Sequence, residues 1–350
     1  MNADNEPTPQ ARLRDVAALA GVSVASASQV LRDGPAGEDT RRKVLHAARQ
    51  LRYVAHAGAR ELRQGPSTVA MWVLNRSDAE ELTENNSFFY ELIRGALDEL
   101  DHARCSFDFR LATHPAGNAL ISAALSGRYR GLIIIPQWDA GDLPADELER
   151  LGVACVTIGP QHHARTSVEV DQAAGIGLAL TRLSQAGHQS IGYLAGPEGH
   201  LDADQRLRGF YRHAAALGVH VRAEWVQRTS FSIESGQDCM RAFLDQRKSR
   251  RSELPTAFLA ANDYVAAGAL SACAEAGLHV PAELSIIGFD DVDIARATVP
   301  ALTTVSQPLR HLGRVAARTV LRIADGEKAQ PTMLSPELIE RQSVAPPASH

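Results

Sequence analysis

The sequence predicts a small all-α head joined to a larger α/β core built as two doubly wound parallel-sheet lobes. Three observations predict it. Arg12 to Leu31, RLRDVAALAGVSVASASQVL, reads as helix, tight turn, helix. From residue 66 onward, short apolar strands alternate with amphipathic helices, the rhythm of parallel sheets covered on both faces. Charge divides at the same place. Residues 1–65 carry ten Arg and Lys against seven Asp and Glu, whereas the whole chain is at −5. A basic head on an acidic body suits a protein that meets phosphate at one end only.

In the head, Val16, Leu19 and Ala20 share one helical face, and Ala27, Val30 and Leu31 share another. Gly21 supplies the permissive backbone of a turn between them. Ser23 stands where the cap of the second helix belongs. This is the pattern of a helix-turn-helix reader of DNA. A third helix is expected over residues 39–53, with Val44, Leu45, Ala48 and Leu51 as its apolar stripe. Arg41, Arg42, Lys43, Arg49, Arg52, Arg60 and Arg63 crowd this helix and the segment behind it. Beside a helix-turn-helix, phosphate contact explains them better than a merely solvated face. Residues 56–64, HAGARELRQ, form a short polar linker in which Leu62 is the one large apolar residue. A helix of that length is marginal in water without a partner.

In the core, strands are expected at Val69–Leu74, Ser106–Leu111, Gly131–Ile135, Val153–Ile158, Ser190–Ala195, Thr256–Ala260 and Leu284–Phe289. Helices include Phe88–Leu100, Gln172–Gln185, Asp204–Ala216, Ile233–Leu244 and Tyr264–Glu275. The length suits two sheets better than one, and ligands of such sheets sit outside the C-terminal strand ends. Polar residues follow the strands: Asp171, Asn262-Asp263 and Asp290-Asp291, with Arg206 in the helix after the loop Gly196–Gly199. Carboxylate, amide and guanidinium groups in one cleft suit a polyhydroxylated ligand, with Phe88 and Phe89 as an apolar wall or as core. Capping of the following helices is the competing reading for Asp263, Asp290 and Asp291.

Composition and motifs also exclude. No run approaches the length of a membrane span. The opening MNADNEPTPQ has no apolar stretch, which points away from secretion and toward the cytosol. The four cysteines have no metal or redox spacing and are expected reduced. No nucleophile elbow, phosphate loop or metalloprotease helix appears, so neither enzyme activity, cofactor nor metal is expected. Asp290, Asp291 and Asp293 need no ion to explain them, and His162-His163 reads as surface loop.

DVAALAGVSVASASQVLR resembles the head of the lactose-repressor/galactose-repressor (LacI/GalR) family. The resemblance continues through NSFFYELIRGALDEL, VEVDQAAG, AGHQSIGYLAGP, QRLRGF, FLAANDYVAAGAL, VPAELSIIGFDDVDIA, PALTTVSQPLRHLGRVA and ELIERQS. It implies a core of two lobes like those of periplasmic binding proteins. It implies a dimer on palindromic operator DNA and a small effector, a sugar or sugar derivative, between the lobes. The expected function is a repressor of carbohydrate-metabolism genes. A nucleobase- or nucleoside-responsive regulator and a cytosolic binding protein are the alternatives. By motif position the DNA-contacting residues are Ser23, Val24, Ala25, Ser26, Ser28, Gln29 and Arg32, with Leu62 as a minor-groove wedge. The implied effector contacts are Phe88, Phe89, Asp171, Arg206, Asn262, Asp290 and Gln307.

The expected divisions are a head at 1–54 and a hinge at 55–65. An N-terminal lobe follows at 66–187 with 308–329, then a C-terminal lobe at 188–307 with 330–346, and a tail at 347–350. The tail region lacks a leucine heptad, which favours a dimer over a tetramer. The chain departs from the family at Arg12, where Thr usually caps the first helix. It departs again at Gln29 and Arg32 in place of Arg and Asn, and at Ala55-His56 in place of Pro-Asn. Gln suits adenine edges where Arg suits guanine, so base preference shifts with that change.

Overall fold

The computed structural model describes residues 11–32, 34–54, 67–75, 86–113, 116–138, 143–160, 166–249 and 255–348. The hinge expectations, Leu62 and Ala55-His56 among them, lie outside the described residues, as do His162-His163. The head is three helices, α1 (Leu13–Ala20), α2 (Val24–Leu31) and α3 (Glu38–Leu51). The three stripes meet as its core, with Val16, Ala27, Val30, Val44 and Ala48 fully buried, but Leu19 of the expected α1 face is 51% exposed. Gly21 takes the left-handed conformation that stops α1. Ser23 Oγ accepts the Ser26 N–H at 3.0 Å and so caps α2. Arg12 cannot cap α1. Instead the Asp15 carboxylate accepts the Arg12 N–H at 2.8 Å, which also places an acid in the first turn.

The core follows as β1 (Thr68–Asn75), α4 (Asn86–His102), β2 (Ser106–Thr113), α5 (Gly117–Leu125), β3 (Tyr129–Pro136), α6 (Ala145–Arg150), β4 (Ala154–Ile158) and β5 (Ser167–Val170). Then come α7 (Gln172–Gln185), β6 (Ile191–Ala195), α8 (Leu201–Leu217), β7 (Val226–Arg228), α9 (Ile233–Ser249), β8 (Ala257–Ala260), α10 (Asp263–Glu275) and β9 (Ser285–Asp290). The chain ends with α11 (Asp293–Ala297), β10 (Thr303–Ser306), α12 (Leu309–Ala324), β11 (Thr332–Leu334) and β12 (Glu337–Ile339).

One sheet runs β11-β5-β4-β3-β1-β2 and the other β12-β10-β9-β8-β6-β7. The two orders repeat one pattern, each reversing direction after its first strand, as doubly wound sheets do. Pairings among the described residues are parallel except β10 with β12. The fully buried runs of β3, β6, β8 and β9 are those of strands covered on both faces.

The chain passes between lobes after β5, after β10 and between β11 and β12. Two expected boundaries move accordingly. α7 packs on α8, β10 and β12 and belongs to the C-terminal lobe, so the first crossing lies at Asp171 rather than near residue 187. β11 pairs with β5 and stays in the N-terminal lobe. The physical reason is that the polypeptide leaves β5 at its C-terminal end, the edge that faces the other sheet.

In the N-terminal lobe α4 and α12 cross at backbone contact. A Cβ on Gly95 would fall 1.9 Å from the Arg310 carbonyl oxygen, and one on Gly313 2.0 Å from that of Leu92. Outside this crossing, Asp98 pairs with Arg310 and Arg314, and Glu99 with Arg318. The head is joined to the same lobe by Arg49, 2.8 Å from Glu147 Oε1 and bonded to Asn118 Oδ1 at 3.1 Å. None of the four cysteines is in a disulfide; Cys105 and Cys273 are buried and Cys155 and Cys239 half-buried.

Candidate functional site

The strand ends of the two sheets converge on one cavity. Its lining comes from the end of β3 (Ile135, Pro136, Gln137), from β4 (Ile158, Gly159), and from the residues that follow β5, β6, β7, β8, β9 and β10. Six of the seven expected effector residues line it: Phe88, Phe89, Arg206, Asn262, Asp290 and Gln307. Asp171 does not. Its carboxylate caps α7, accepting the Ala174 N–H at 2.8 Å.

Arg206 lies in the second turn of α8, only 3% exposed, with its guanidinium 3.9 Å above the Phe289 ring. It donates through Nε to Gln172 Oε1 at 2.8 Å, through one terminal nitrogen to the Ala261 carbonyl, and through the other to Asp290 Oδ1 at 3.4 Å. Gln172 Nε2 donates to Gln307 Oε1 at 3.0 Å, and Gln307 Nε2 to Asp290 Oδ1 at 2.7 Å. These four side chains close a ring. Gln172 stands at the first lobe crossing and Gln307 at the second, so the ring ties both crossings to the cavity floor. A guanidinium has five N–H donors, and three are used here, which leaves two for a ligand.

Burial raises the Asp290 carboxyl to about 6 against the pull of Arg206 and the Gln307 hydrogen bond. Asp290 and Asp291 both hold positive φ, 109° and 58°, a costly conformation outside glycine. What holds them is Asp263. Its fully buried carboxyl accepts the Val292 N–H at 2.9 Å and the Thr304 hydroxyl. Burial, with Asp290 next, pushes that carboxyl well above the usual range. Asp291 turns away and pairs with Arg341 and Arg296.

Several lining residues carry no signal in the sequence. Phe231 sits in a polar loop at φ 67°, and Asn262 fixes that loop by donating to its carbonyl at 3.1 Å. Asn262 Oδ1 meanwhile caps α10 by accepting the Val265 N–H at 2.8 Å. Gly196 makes room for the Phe231 ring, since a Cβ there would fall 2.4 Å from it. His200 packs edge-on between Trp138 and Phe231, at 5.3 and 5.0 Å. Burial and the Arg206 charge lower the His200 imidazole to about 3, so it is neutral. Asp202 and Gln172 complete the polar lining, and Phe88 meets Phe89 edge to face at 5.2 Å. Across the cleft, Leu201 N–H donates to the Gln137 carbonyl at 2.9 Å, and the Tyr264 hydroxyl to Ser87 Oγ at 3.3 Å.

The second candidate surface is α2. Val24, Ala25 and Gln29 are exposed, as are Ser23 and Arg32, while Ser26 and Ser28 are half-buried. The basic residues behind it are partly committed. Arg41 donates to the Gly34 carbonyl at 2.9 Å, and Arg42 and Lys43 both pair with Asp39. Arg49 faces the lobe rather than the exposed face of α2.

No described helix is long and apolar enough to cross a membrane. No group of three or more His, Cys, Asp or Glu among the described residues is placed to hold a metal ion.

Known proteins match this arrangement at both ends. Residues 12–56 match the profile of bacterial regulatory proteins of the lacI family, and residues 180–344 that of the periplasmic binding protein-like domain. The chain is 31% identical over 349 residues to the HTH-type transcriptional repressor PurR of Haemophilus influenzae, covering 95% of this chain and 98% of that protein. It is 30% identical over 355 residues to the HTH-type transcriptional regulator GalR of Escherichia coli, covering 97% and 98%. Among solved structures, a complex of the transcriptional regulator CelR with cellobiose superposes at a TM-score of 0.70 with 26% identity, covering 95% of this chain and 99% of that one. The lac repressor dimer bound to operator and an anti-inducer does so at 0.70 with 26% identity, covering 96% and 99%.

Proposed function

Because this chain belongs to the lacI family of bacterial regulatory proteins, we propose that it is a ligand-responsive transcriptional repressor acting in the cytoplasm. In this reading it binds a palindromic operator as a dimer and takes a sugar or sugar derivative as effector. The observation that carries the reading is the cavity between the lobes, with its ring of Arg206, Gln172, Gln307 and Asp290 fastened to two of the three lobe crossings. A ligand that engages the free donors of Arg206 acts on the same groups that set how the lobes meet. It shifts the lobes only by its difference in affinity for their two arrangements.

The lining supports the effector class. Phe88, Phe89 and Phe231 offer an apolar wall, and carboxylate, amide and guanidinium groups stand opposite to hold hydroxyls. A similar structure was solved with cellobiose. A nucleobase or nucleoside is the second reading. The Phe231 ring suits a flat ligand, and the relatives include proteins named PurR as well as GalR. In either case the chain binds its effector without converting it.

The test is operator binding by the full chain, with and without sugars and nucleosides, in wild type and R206A. An effector that alters wild-type occupancy and not that of R206A supports the reading. An equal response in both proteins would place the effector elsewhere.

A further inference from the structure

We propose that the effector of this chain presents an O–H or N–H donor to Asp202 and carries no anionic group, which makes it an unphosphorylated polyol or an amine-bearing relative of one. The inference rests on the cleft being the effector site and narrows what it takes. Asp202 lies in the first turn of α8 among the cavity-lining residues, and its Oδ1 is buried without a hydrogen-bond partner. A buried acceptor left unmatched destabilises a folded chain, and one aimed into a cavity is matched by what enters the cavity.

The charges around Asp202 set the sign of the ligand. The charged groups facing it are Arg206 from its own helix, Glu169 from β5 and Asp290 from the end of β9. Arg206 is the one cation among the described lining residues, and it is already bonded to Asp290. His200 is neutral and adds no charge. A phosphate or carboxylate entering here finds two open N–H donors on Arg206, but that one cation is already paired with Asp290, and the carboxyls of Asp202 and Asp290 stand beside it. A hydroxyl or ammonium meets an open acceptor.

Two measurements on the full chain test this. The first compares thermal melts of effector-free wild type and D202N at pH 7.5. The isosteric amide removes the unmatched charge, so the D202N midpoint is expected to rise by about 2 °C or more. An equal or lower midpoint overturns the proposal. The second is calorimetric titration with D-glucose, D-glucosamine, D-ribose and adenosine, each against its monophosphate. Where a parent binds, its phosphate is expected to bind at least about tenfold more weakly, a difference of ~1.4 kcal/mol. Any phosphate that binds more tightly than its parent overturns the proposal, and where no parent binds the melts decide. Neither measurement involves DNA. Failure of the regulatory reading would show separately, as wild-type operator binding indifferent to a ligand that occupies the cleft.

Discussion

Arg206 is the residue on which the cleft depends. It holds Asp290 in a buried pair and bonds the crossing residue Gln172. Replacing it with Ala leaves a buried carboxylate unpaired, which costs on the order of 3–5 kcal/mol. R206A should therefore lower the unfolding free energy by that amount, read as a lower urea midpoint, as well as lose the effector response, and a midpoint equal to wild type would mean the pair is not buried in solution. Asp290 carries a pH signature. Its carboxyl is at about 6 in the fold against the ordinary 3.8 of an exposed Asp. A raised acid stabilises the fold below its unfolded value, and that contribution is lost as pH rises through about 6. His200 is lowered to about 3 and works in the opposite sense. The readout is therefore the stability of wild type relative to D290N, which should fall by about 2 kcal/mol between pH 4 and pH 7. A difference that stays flat over this range would remove Asp290 from the buried ring.

At the scale of elements, the crossings join the two lobes and the α4–α12 contact packs the N-terminal one. Gln172 and Gln307 bond across 135 residues of sequence, one at each crossing. Q172A breaks the ring at one corner and leaves the two free donors of Arg206 in place. Effector affinity should change by less than about tenfold, ~1.4 kcal/mol, while the ratio of operator affinities with and without effector shrinks toward one. An unchanged ratio would route the coupling elsewhere. Gly313 tests the packing. G313A forces a methyl against the Leu92 carbonyl, and overpacking of this kind costs about 1–3 kcal/mol, read as a lower urea midpoint.

These same features mark where the sequence ceased to be legible. Helices with a cap or a stripe could be read locally: Ser23, the Val16 and Val30 faces, and α7 from Gln172 to Gln185. Arg206, Asn262, Asp290 and Gln307 could be placed because each follows a strand or matches a family motif. Phe231, His200, Asp202 and Gln172 could not. Phe231 depends on room left by Gly196 and on a bond from Asn262, and Gln172 depends on a partner far along the chain. Asp171 read as a ligand contact because a strand end and a helix cap occupy the same place in the sequence. The choice between them is made by side-chain direction, which spacing does not encode.

The whole molecule is a basic head fixed to one lobe of an acidic two-lobed core. Arg49 joins the head to Glu147 and Asn118, leaving Val24, Ala25 and Gln29 exposed. Operator affinity should therefore fall steeply with salt, because bound phosphates release counterions. R49A should loosen the head by about 1 kcal/mol without altering base preference. By its place in the sequence, Leu62 is the residue we propose for the coupling. L62A should cost specific affinity and effector response far more than binding to random DNA. The most direct test of the account is fluorescence anisotropy of a labelled palindromic operator, with R206A and wild type titrated in parallel. Each is measured with and without an unphosphorylated sugar or nucleoside that calorimetry shows to bind wild type. Wild-type operator affinity is expected to change at least tenfold, ~1.4 kcal/mol, and that of R206A not at all. A ligand that fills the wild-type cleft and leaves operator affinity untouched would contradict it.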